Sequence, residues 1–304
     1  MPSPTVAVVV PCYNAGAFIT SAIESVLAQT YAAAQIVVVN DGSTDDSIAR
    51  LDRFGDRIQL ITQPNGGLAS ARNRALQAVR SDLVAFLDHD DEWLPTKLER
   101  QVDLLRRWPD VGVVHTAVQC VDAAGRPVPE ARKLTLPPAE GECALALLQL
   151  NTVIISSAIV RRPLIDSEGF SGACQGSEDW DLWLRLSLAA PFGYLDEPLV
   201  RYRLHDTNMS KRAEFMLNGR VTVFERAARR SDDIYRATAK KALARVYVEL
   251  AHLEYEHGNV DRARRLFFSN VRALAPGMYG RVAASLLPAP IRQGLSAAFR
   301  FSRL

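Results

Sequence analysis

The first two thirds of the chain alternate between short apolar runs and longer stretches in which apolar residues recur every three or four positions. The short runs predict buried strands, and the periodic stretches predict helices between them. This alternation indicates an α/β fold with a mainly parallel sheet flanked by helices. The predicted strands cover residues 6–10, 36–39, 58–61, 83–87 and 111–118, and the predicted helices cover 17–27, 68–79 and 95–108, with another opening at 44.

The remainder of the chain divides into a less regular segment and a helical one. Residues 127–138 form a proline-rich loop, followed by a predicted helix near 144–150 and a predicted strand over 153–160. A helix is predicted to open at 177–181, and a short strand over 199–203 ends at His205. Beyond Lys211 the pattern is helical, with a helical hairpin over 242–276 that breaks at Gly258. We therefore predict two domains, residues 1–210 and an all-α extension over 211–304.

Composition and charge narrow the class of protein. The 304 residues are 48% hydrophobic and 23% charged, as in an ordinary globular protein. The net charge of +2 is unevenly distributed, because residues 211–304 hold 18 basic and 8 acidic side chains. The four cysteines are widely spaced, which is typical of free thiols in a reducing compartment. The start of the chain lacks the pattern of a signal peptide, so we expect a cytoplasmic protein.

Four polar residues, Asp88-His89-Asp90-Asp91, directly follow the apolar run at 83–87. Ligands of open α/β sheets bind at the carboxyl ends of the strands, where these side chains and Asp41 both fall. Three neighbouring carboxylates repel each other unless a cation neutralises them, and oxygen ligands select Mg²⁺ or Mn²⁺ shared with substrate phosphates. The alternative is an acidic loop that only caps the helix opening near Pro95, although capping needs a single acid.

Two further residues near the predicted sheet edge are candidates for nucleotide binding. The Asp41 carboxylate could accept a hydrogen bond from the imide N–H of uracil or thymine, or could simply form an Asp-Gly turn with Gly42. Arg72 lies one turn into a predicted helix, where it could reach a base or a phosphate. The alternative for Arg72 is a solvated arginine on the surface.

The acceptor side has its own candidates. Glu178 and Asp179 are the best general bases, since a sugar hydroxyl is a poor nucleophile until a base removes its proton. Acids in the first turn of a helix are also stabilised by its dipole, which is the structural alternative. His205 could complete a metal site and Arg203 could hold a diphosphate. A lone histidine is more often structural, so that assignment depends on the other residues.

Six motifs in order resemble the family 2 glycosyltransferases of the GT-A fold. They are VAVVVPCYN at 6–14, VVVNDGSTDDS at 37–47, NGGLASARN at 65–73, FLDHDDEWLP at 86–95, EDWDLWLR at 178–185 and YRLH at 202–205. The resemblance covers residues 5–210 and implies a Rossmann-like GT-A domain that transfers a sugar with inversion. The resemblance implies no role for His89. The resemblance implies that Pro11 and Tyr13 line the nucleoside pocket, that Asp41 contacts the base and that Asp88 lies near the ribose. It also implies that Asp90 binds the cation, that His205 approaches the metal or the diphosphate, and that Asp179 is the base beside Glu178. We further expect Asn14, Arg72 and Arg203 to bind the nucleotide sugar and Asp88 to contribute to the cation site.

These observations predict a metal-dependent enzyme that uses a UDP- or dTDP-sugar and a glycan or lipid-linked acceptor, in bacterial cell-surface polysaccharide or glycolipid synthesis. One alternative is a nucleotidyltransferase, but that enzyme needs a glycine-rich basic loop where this chain has Pro11-Cys12-Tyr13-Asn14. The other is a non-catalytic nucleotide-sugar-binding protein, which would be expected to lose some of the acids. The chain contains no basic motif interleaved with aromatic residues, so we do not expect it to bind nucleic acid.

The basic carboxyl-terminal segment leaves two alternatives open. From Arg262 onward the chain contains eight arginines, no acid, and recurring apolar residues such as Phe267 and Phe299. An amphipathic basic segment could lie on an anionic membrane, which would make the protein peripheral on the inner face. The other interpretation, which we favour, is a helical cap that packs its apolar face on the catalytic domain.

Overall fold

The structure is a computed structural model that describes residues 3–128 and 138–273. Its contacts divide the chain into two compact units, with the boundary between Lys211 and Arg212. Within the described part of the first unit, the strands are β1 Val6–Cys12, β2 Gln35–Asn40, β3 Gln59–Thr62, β4 Leu83–Phe86, β5 Glu92–Trp93, β6 Val113–Asp122, β7 Ile159–Arg161 and β8 Phe192–Leu204. The α-helices are α1 Ile19–Leu27, α2 Ser47–Asp52, α3 Leu68–Ala78, α4 Lys97–Arg107, α5 Ala144–Leu147 and α6 Glu178–Ser187.

The eight strands of the described residues form one mixed sheet in the order β3-β2-β1-β4-β7-β6-β8-β5. The first four strands are parallel to one another, as the alternation of strand and helix predicted. Strand β7 runs antiparallel between β4 and β6, whereas β6 and β8 pair in parallel. The predicted fold class is thus confirmed, with antiparallel strands added on one side of the parallel half.

The core of the first unit lies where helices cover the parallel strands. All seven residues of β1 are buried, as expected for a strand covered on both faces. Helix α1 buries Ile19, Ile23 and Val26 at the spacing of one helix face. Burying each such side chain stabilises the fold by roughly 1.5–3 kcal/mol. This packing fixes the sheet whose carboxyl edge carries the candidate site.

Two strand predictions were wrong in detail. The predicted strand over 153–160 is instead a 3-10 helix, Ile155–Ser157, followed by the short strand β7. Ser157 accounts for the difference, because its hydroxyl donates to the carbonyl oxygen of Ile154 and closes a turn. The predicted short strand over 199–203 is the end of the 13-residue β8. A register shift next to Pro198 interrupts the β6–β8 pairing, so the first half of β8 lacks a strand-like pattern.

The described part of the second unit is helical, as predicted. Its helices are α7 Ala213–Ala227, α8 Asp233–Glu256 and α9 Val260–Asn270. Helices α8 and α9 form the predicted hairpin, which turns at Gly258 with a φ of +83° and closes over a core of Val248, Ala251, Ala263 and Phe267. The end of the predicted hairpin at 276 and most of the basic tail lie outside the described residues. None of the helices in the described ranges has both the length and the apolar character that a membrane span needs.

Candidate active site

The loops that follow β1, β2 and β3 meet at the carboxyl edge of the parallel strands. The backbone N–H of Asp41, just after β2, donates to the carbonyl oxygen of Cys12 at the end of β1 over 2.8 Å. Gly42 has a φ of +76°, and a Cβ placed on it would lie 2.9 Å from the backbone nitrogen of Asn65. Only glycine therefore allows the loop after β2 to approach the loop after β3 this closely.

The buried carboxylate of Asp41 fixes the turn that leads into α3. Its Oδ1 accepts from Nε2 of Gln63 and from the backbone N–H of Gly66, each over 2.8 Å. Its Oδ2 accepts from the backbone N–H of Gly67, also over 2.8 Å. A carboxylate offers about four acceptor positions, so one position on Oδ2 is left for a ligand. The structural and ligand-binding interpretations of Asp41 are therefore compatible.

The turn after β1 carries the other residues predicted on the nucleoside side. Pro11 is buried at the end of the strand, whereas the Tyr13 side chain is 45% exposed. Asn14 adopts a φ of +46°, and its Oδ1 accepts from the backbone N–H of Thr44 over 2.8 Å. Asparagine tolerates this left-handed conformation better than most residues do. Asn14 thus joins the turn after β1 to the loop after β2, and the exposed Tyr13 precedes it in the same turn.

Arg72 lies inside the site rather than on the surface. Its side chain is only 3% exposed and donates from Nη2 to Oδ1 of Asp88 over 2.7 Å. Nη1 donates to Oε1 of Glu178 over 2.6 Å. The interpretation of Arg72 as a solvated arginine is therefore wrong. The guanidinium joins Asp88, in the loop after β4, to Glu178, the first residue of α6. The sequence predicted that these two parts of the chain serve the donor and the acceptor.

The acidic residues after β4 separate into three environments. Asp88 pairs with Arg72, and Oδ2 of Asp90 lies 2.9 Å from Nε2 of His205. Asp91 is buried and accepts from the backbone N–H of Arg203 over 2.9 Å. Burial and the charge of Asp90 raise the pKa of Asp91 well above its usual range. Arg72 and burial thus act on two of the three carboxylates, and Asp90 is the one left facing His205. The cation site stays a prediction.

The helix-capping alternative for these acids is wrong. Helix α4 has Thr96 at its N-cap and receives no side-chain cap. Asp91 instead holds the backbone of β8 to the loop after β4. These carboxylates are therefore oriented by contacts across the sheet edge, not by the end of the next helix.

Asp90 and His205 are the residues whose chemistry fits a divalent cation. Among the described residues, no three His, Cys, Asp or Glu side chains converge closely enough to hold a metal by themselves. A carboxylate and an imidazole can nevertheless bind Mn²⁺ or Mg²⁺ when substrate phosphates supply further ligands. Asp88, the third predicted ligand, is committed to Arg72. The donor set therefore fits a cation that the nucleotide helps to hold.

The structure does not support the diphosphate contact predicted for Arg203. Its buried guanidinium donates from Nε to the carbonyl oxygen of Asp90 over 2.8 Å and from Nη1 to that of Ala123 over 3.1 Å. Nη2 pairs with the carboxylate of Glu92. Because these contacts use its donors within the protein, Arg203 shapes the loop that carries Asp90.

Asp179 lies in the first turn of α6 beside Glu178. Burial raises the pKa of Asp179 to about 6, and the negative charge of Glu178 adds to the shift while Arg72 opposes it. Nδ2 of Asn151 lies 3.3 Å from Oδ2 of Asp179. A carboxylate that titrates near neutrality and remains partly accessible has the properties of a general base. The helix terminus stabilises its ionised form, so the two interpretations of Asp179 are compatible, and its role as the base stays a prediction.

Sequence reasoning missed the residues that orient this site from a distance. Asn151 contacts Asp179, Gln63 contacts Asp41, and the hydroxyl of Ser156 lies 3.1 Å from the backbone nitrogen of Asp88. Partners separated by 22–68 positions leave no periodic signal in the chain. Thr207 and Asn208, two and three positions after His205, are near enough in the sequence to have been found as part of a local motif.

Comparison with known sequences now identifies the family. Residues 7–166, about half of the chain, match the sequence profile described as Glycosyl transferase family 2. The chain belongs to this family. The match spans the segments that carry Asp41, Arg72 and Asp88, and the resemblance is confirmed.

Individual relatives agree with the family assignment. An uncharacterized glycosyltransferase of Rickettsia felis is 30% identical over 217 residues, which are 69% of this chain and 36% of the relative. A chondroitin synthase of Escherichia coli is 27% identical over 213 residues, 68% of this chain and 30% of the relative. This chain thus spans about a third of the length of these two family members.

Solved structures confirm the GT-A glycosyltransferase fold. S. aureus TarS 1–349 in complex with UDP-GlcNAc superposes with a TM-score of 0.66 at 19% identity, covering 95% of this chain and 85% of that one. The mannosyltransferase PcManGT from Pyrobaculum calidifontis, in complex with GDP-Man and Mn²⁺, has a TM-score of 0.63 at 19% identity and covers 100% of this chain and 82% of that one. At these identities the likeness is one of fold.

Proposed function

We propose that this family 2 glycosyltransferase transfers a sugar, with inversion, from a nucleoside diphosphate sugar to an acceptor hydroxyl and depends on a divalent cation. The observation that carries the proposal is the Arg72 bridge. It joins Asp88, two residues before the candidate metal ligand Asp90, to Glu178, next to the candidate base Asp179. A leaving diphosphate and an attacking hydroxyl need such groups on opposite sides of one anomeric carbon.

The donor is proposed to carry uracil or thymine. The remaining acceptor position on Asp41 suits the imide N–H of these bases, with Tyr13 as the exposed ring nearby in sequence. The comparison structures carry either UDP-GlcNAc or GDP-Man, so they support a nucleotide sugar without selecting the base. We therefore propose UDP- or dTDP-sugars first, with GDP-sugars as the contrast in the assay.

The proposed mechanism uses side chains of the described sheet edge. Asp90 and His205 would hold the cation, which neutralises the charge that develops on the departing diphosphate. Asp179 takes the proton of the acceptor hydroxyl while its oxygen forms a bond to the anomeric carbon and the bond to the diphosphate oxygen breaks. Attack opposite the leaving group inverts the anomeric configuration. Arg72 keeps Glu178 paired, so that Glu178 does not compete for the proton.

The acceptor and the role of each domain are also proposals. Residues 1–210 would be the catalytic domain and residues 211–304 a basic helical extension. We propose a polysaccharide or glycolipid acceptor at the bacterial cell surface, and the similarity to a chondroitin synthase supports a polysaccharide. Synthesis at the inner face of the membrane would suit such an acceptor, and the basic extension could hold the enzyme there.

A donor panel tests the function. The full chain is incubated with UDP-, dTDP- and GDP-sugars and Mn²⁺, with and without chelator, and nucleoside diphosphate release is measured. We expect metal-dependent release from a uridine or thymidine donor, and its loss in Asp179→Asn but not in the matched surface variant Asp110→Asn. In a parallel assay, release of pyrophosphate from a nucleoside triphosphate and a sugar 1-phosphate would indicate a nucleotidyltransferase instead. No turnover of any donor, with binding retained, would indicate a non-catalytic protein.

A further inference from the structure

Both ring nitrogens of His205 have hydrogen-bond partners. Nε2 lies 2.9 Å from Oδ2 of Asp90, and Nδ1 lies 2.8 Å from Oγ1 of Thr207. Asp90 belongs to the loop after β4, whereas Thr207 belongs to the same turn as the histidine. The imidazole is therefore held in line between a carboxylate and a hydroxyl.

Other contacts prevent the ring from swinging away. The ring centroid of Phe18 lies 5.1 Å from that of His205. The buried side chain of Asn208 accepts from the backbone N–H of His205 and donates to the carbonyl oxygen of Arg203 over 3.1 Å. Because ring and backbone are both fixed, His205 can change its hydrogen bonding mainly by moving a proton between its nitrogens.

The His205 ring needs one tautomer when no cation is bound and the other when a cation is bound. An ionised Asp90 only accepts hydrogen bonds, so without a cation the neutral ring carries its proton on Nε2 and Nδ1 accepts from the Thr207 hydroxyl. A ring that binds a cation through Nε2 must present a lone pair there and carry the proton on Nδ1. One proton then leaves Nε2 and one is added to Nδ1, so the charge of the ring does not change.

We propose that Thr207 is a positioning residue that lets His205 alternate between these two tautomers without moving. A hydroxyl both donates and accepts, so Oγ1 can donate to Nδ1 in the metal-free state and accept from Nδ1–H in the metal-bound state. This inference rests on the proposed role of His205 as a metal ligand. Loss of such an outer partner of a metal-binding histidine typically weakens metal affinity about 10–100-fold.

Three variants test the inference. Thr207→Val removes the hydroxyl at nearly constant shape, Thr207→Ser retains it, and His205→Ala removes the ring. Thr207 is exposed, so the first two variants are expected to fold like the wild type. Mn²⁺ affinity is measured by titration calorimetry in the presence of UDP. We expect about 10–100-fold weaker binding in Thr207→Val and nearly wild-type binding in Thr207→Ser.

A second measurement reports the tautomer directly. ¹⁵N NMR of the His205 ring, at a pH where it is neutral, should show the Nε2–H form without metal and the Nδ1–H form with Mg²⁺ and UDP. Wild-type Mn²⁺ affinity in Thr207→Val, equal weakening in Thr207→Ser, or no change of tautomer would overturn the inference. Unchanged Mn²⁺ affinity in His205→Ala would instead overturn the proposed metal site itself.

Discussion

Arg72 and Glu178 form an ion pair of 2.6 Å in the interior of the site, although 106 positions separate them in the chain. The same guanidinium holds Asp88. The buried guanidinium of Arg72 thus balances the charges of Asp88, two residues before the candidate metal ligand, and of Glu178, next to the candidate base. Arg72 and Glu178 are both buried, whereas the Asp88 side chain is 27% exposed. Removing Arg72 would therefore leave an uncompensated buried charge on Glu178.

Replacing Arg72 with Gln should therefore destabilise the fold. Removing one partner of a buried ion pair typically costs about 3–5 kcal/mol, because the remaining charge is left uncompensated. Urea unfolding followed by circular dichroism measures the change in the free energy of unfolding. Arg74→Gln, an exposed arginine two positions away on α3, is the matched control and should change little. Equal stability of the two variants would contradict the bridging role of Arg72.

The activity should decrease as the pH falls through about 6, because Asp179 must be ionised to accept a proton and its pKa is raised to about 6. Asp179→Asn should lower kcat/KM by about 10²–10⁴. Glu178→Gln removes a negative neighbour that raises this pKa, so the inflection should move to lower pH. Asp181→Asn, on the same helix but paired with Arg185, should leave the inflection in place. A profile that is flat from pH 5 to 8 would exclude Asp179 as the base.

Asp90→Asn should weaken Mn²⁺ binding in the presence of UDP, because it removes a direct ligand of the cation. Loss of an outer partner already weakens metal binding about 10–100-fold, so we expect at least that change here. Calorimetric titration of the purified variant measures this, and a chelator should abolish turnover by the wild type. Asp206→Asn changes an exposed carboxylate next to His205 that pairs with Lys211, so it should bind Mn²⁺ normally. Similar affinities in both variants would argue against a metal at Asp90.

Asp41→Asn should reduce both stability and UDP affinity. Either orientation of the new amide places its NH₂ group against an N–H donor of Gln63, Gly66 or Gly67. Such a mismatch costs about 1–3 kcal/mol. Thermal unfolding and UDP titration measure the two effects, with exposed Asp56→Asn as control. If UDP affinity falls no further than in the control, Asp41 stabilises the turn into α3 but does not bind the base.

Much of the site was predictable because its parts lie at the ends of strands. The apolar runs before Asp41 and Asp88 predicted parallel strands, and parallel strands bring their carboxyl ends to one edge. The location of these two residues at the same sheet edge therefore followed from local patterns alone. The strand β8 was predicted only in part, since Asp196, Glu197 and Pro198 break its apolar pattern at a register shift that becomes visible only against β6.

The sequence by itself determined the family, the α/β class and the set of polar side chains at the sheet edge, because motif order and hydrophobic periodicity are local properties. Only the tertiary structure decided how those side chains divide. It paired Asp88 with Arg72, buried Asp91 beneath β8 and set Asp90 against His205. Charge and pKa depend on burial and on contacts between residues that are far apart in the sequence. The spacing of residues along the chain does not reveal these contacts or the burial.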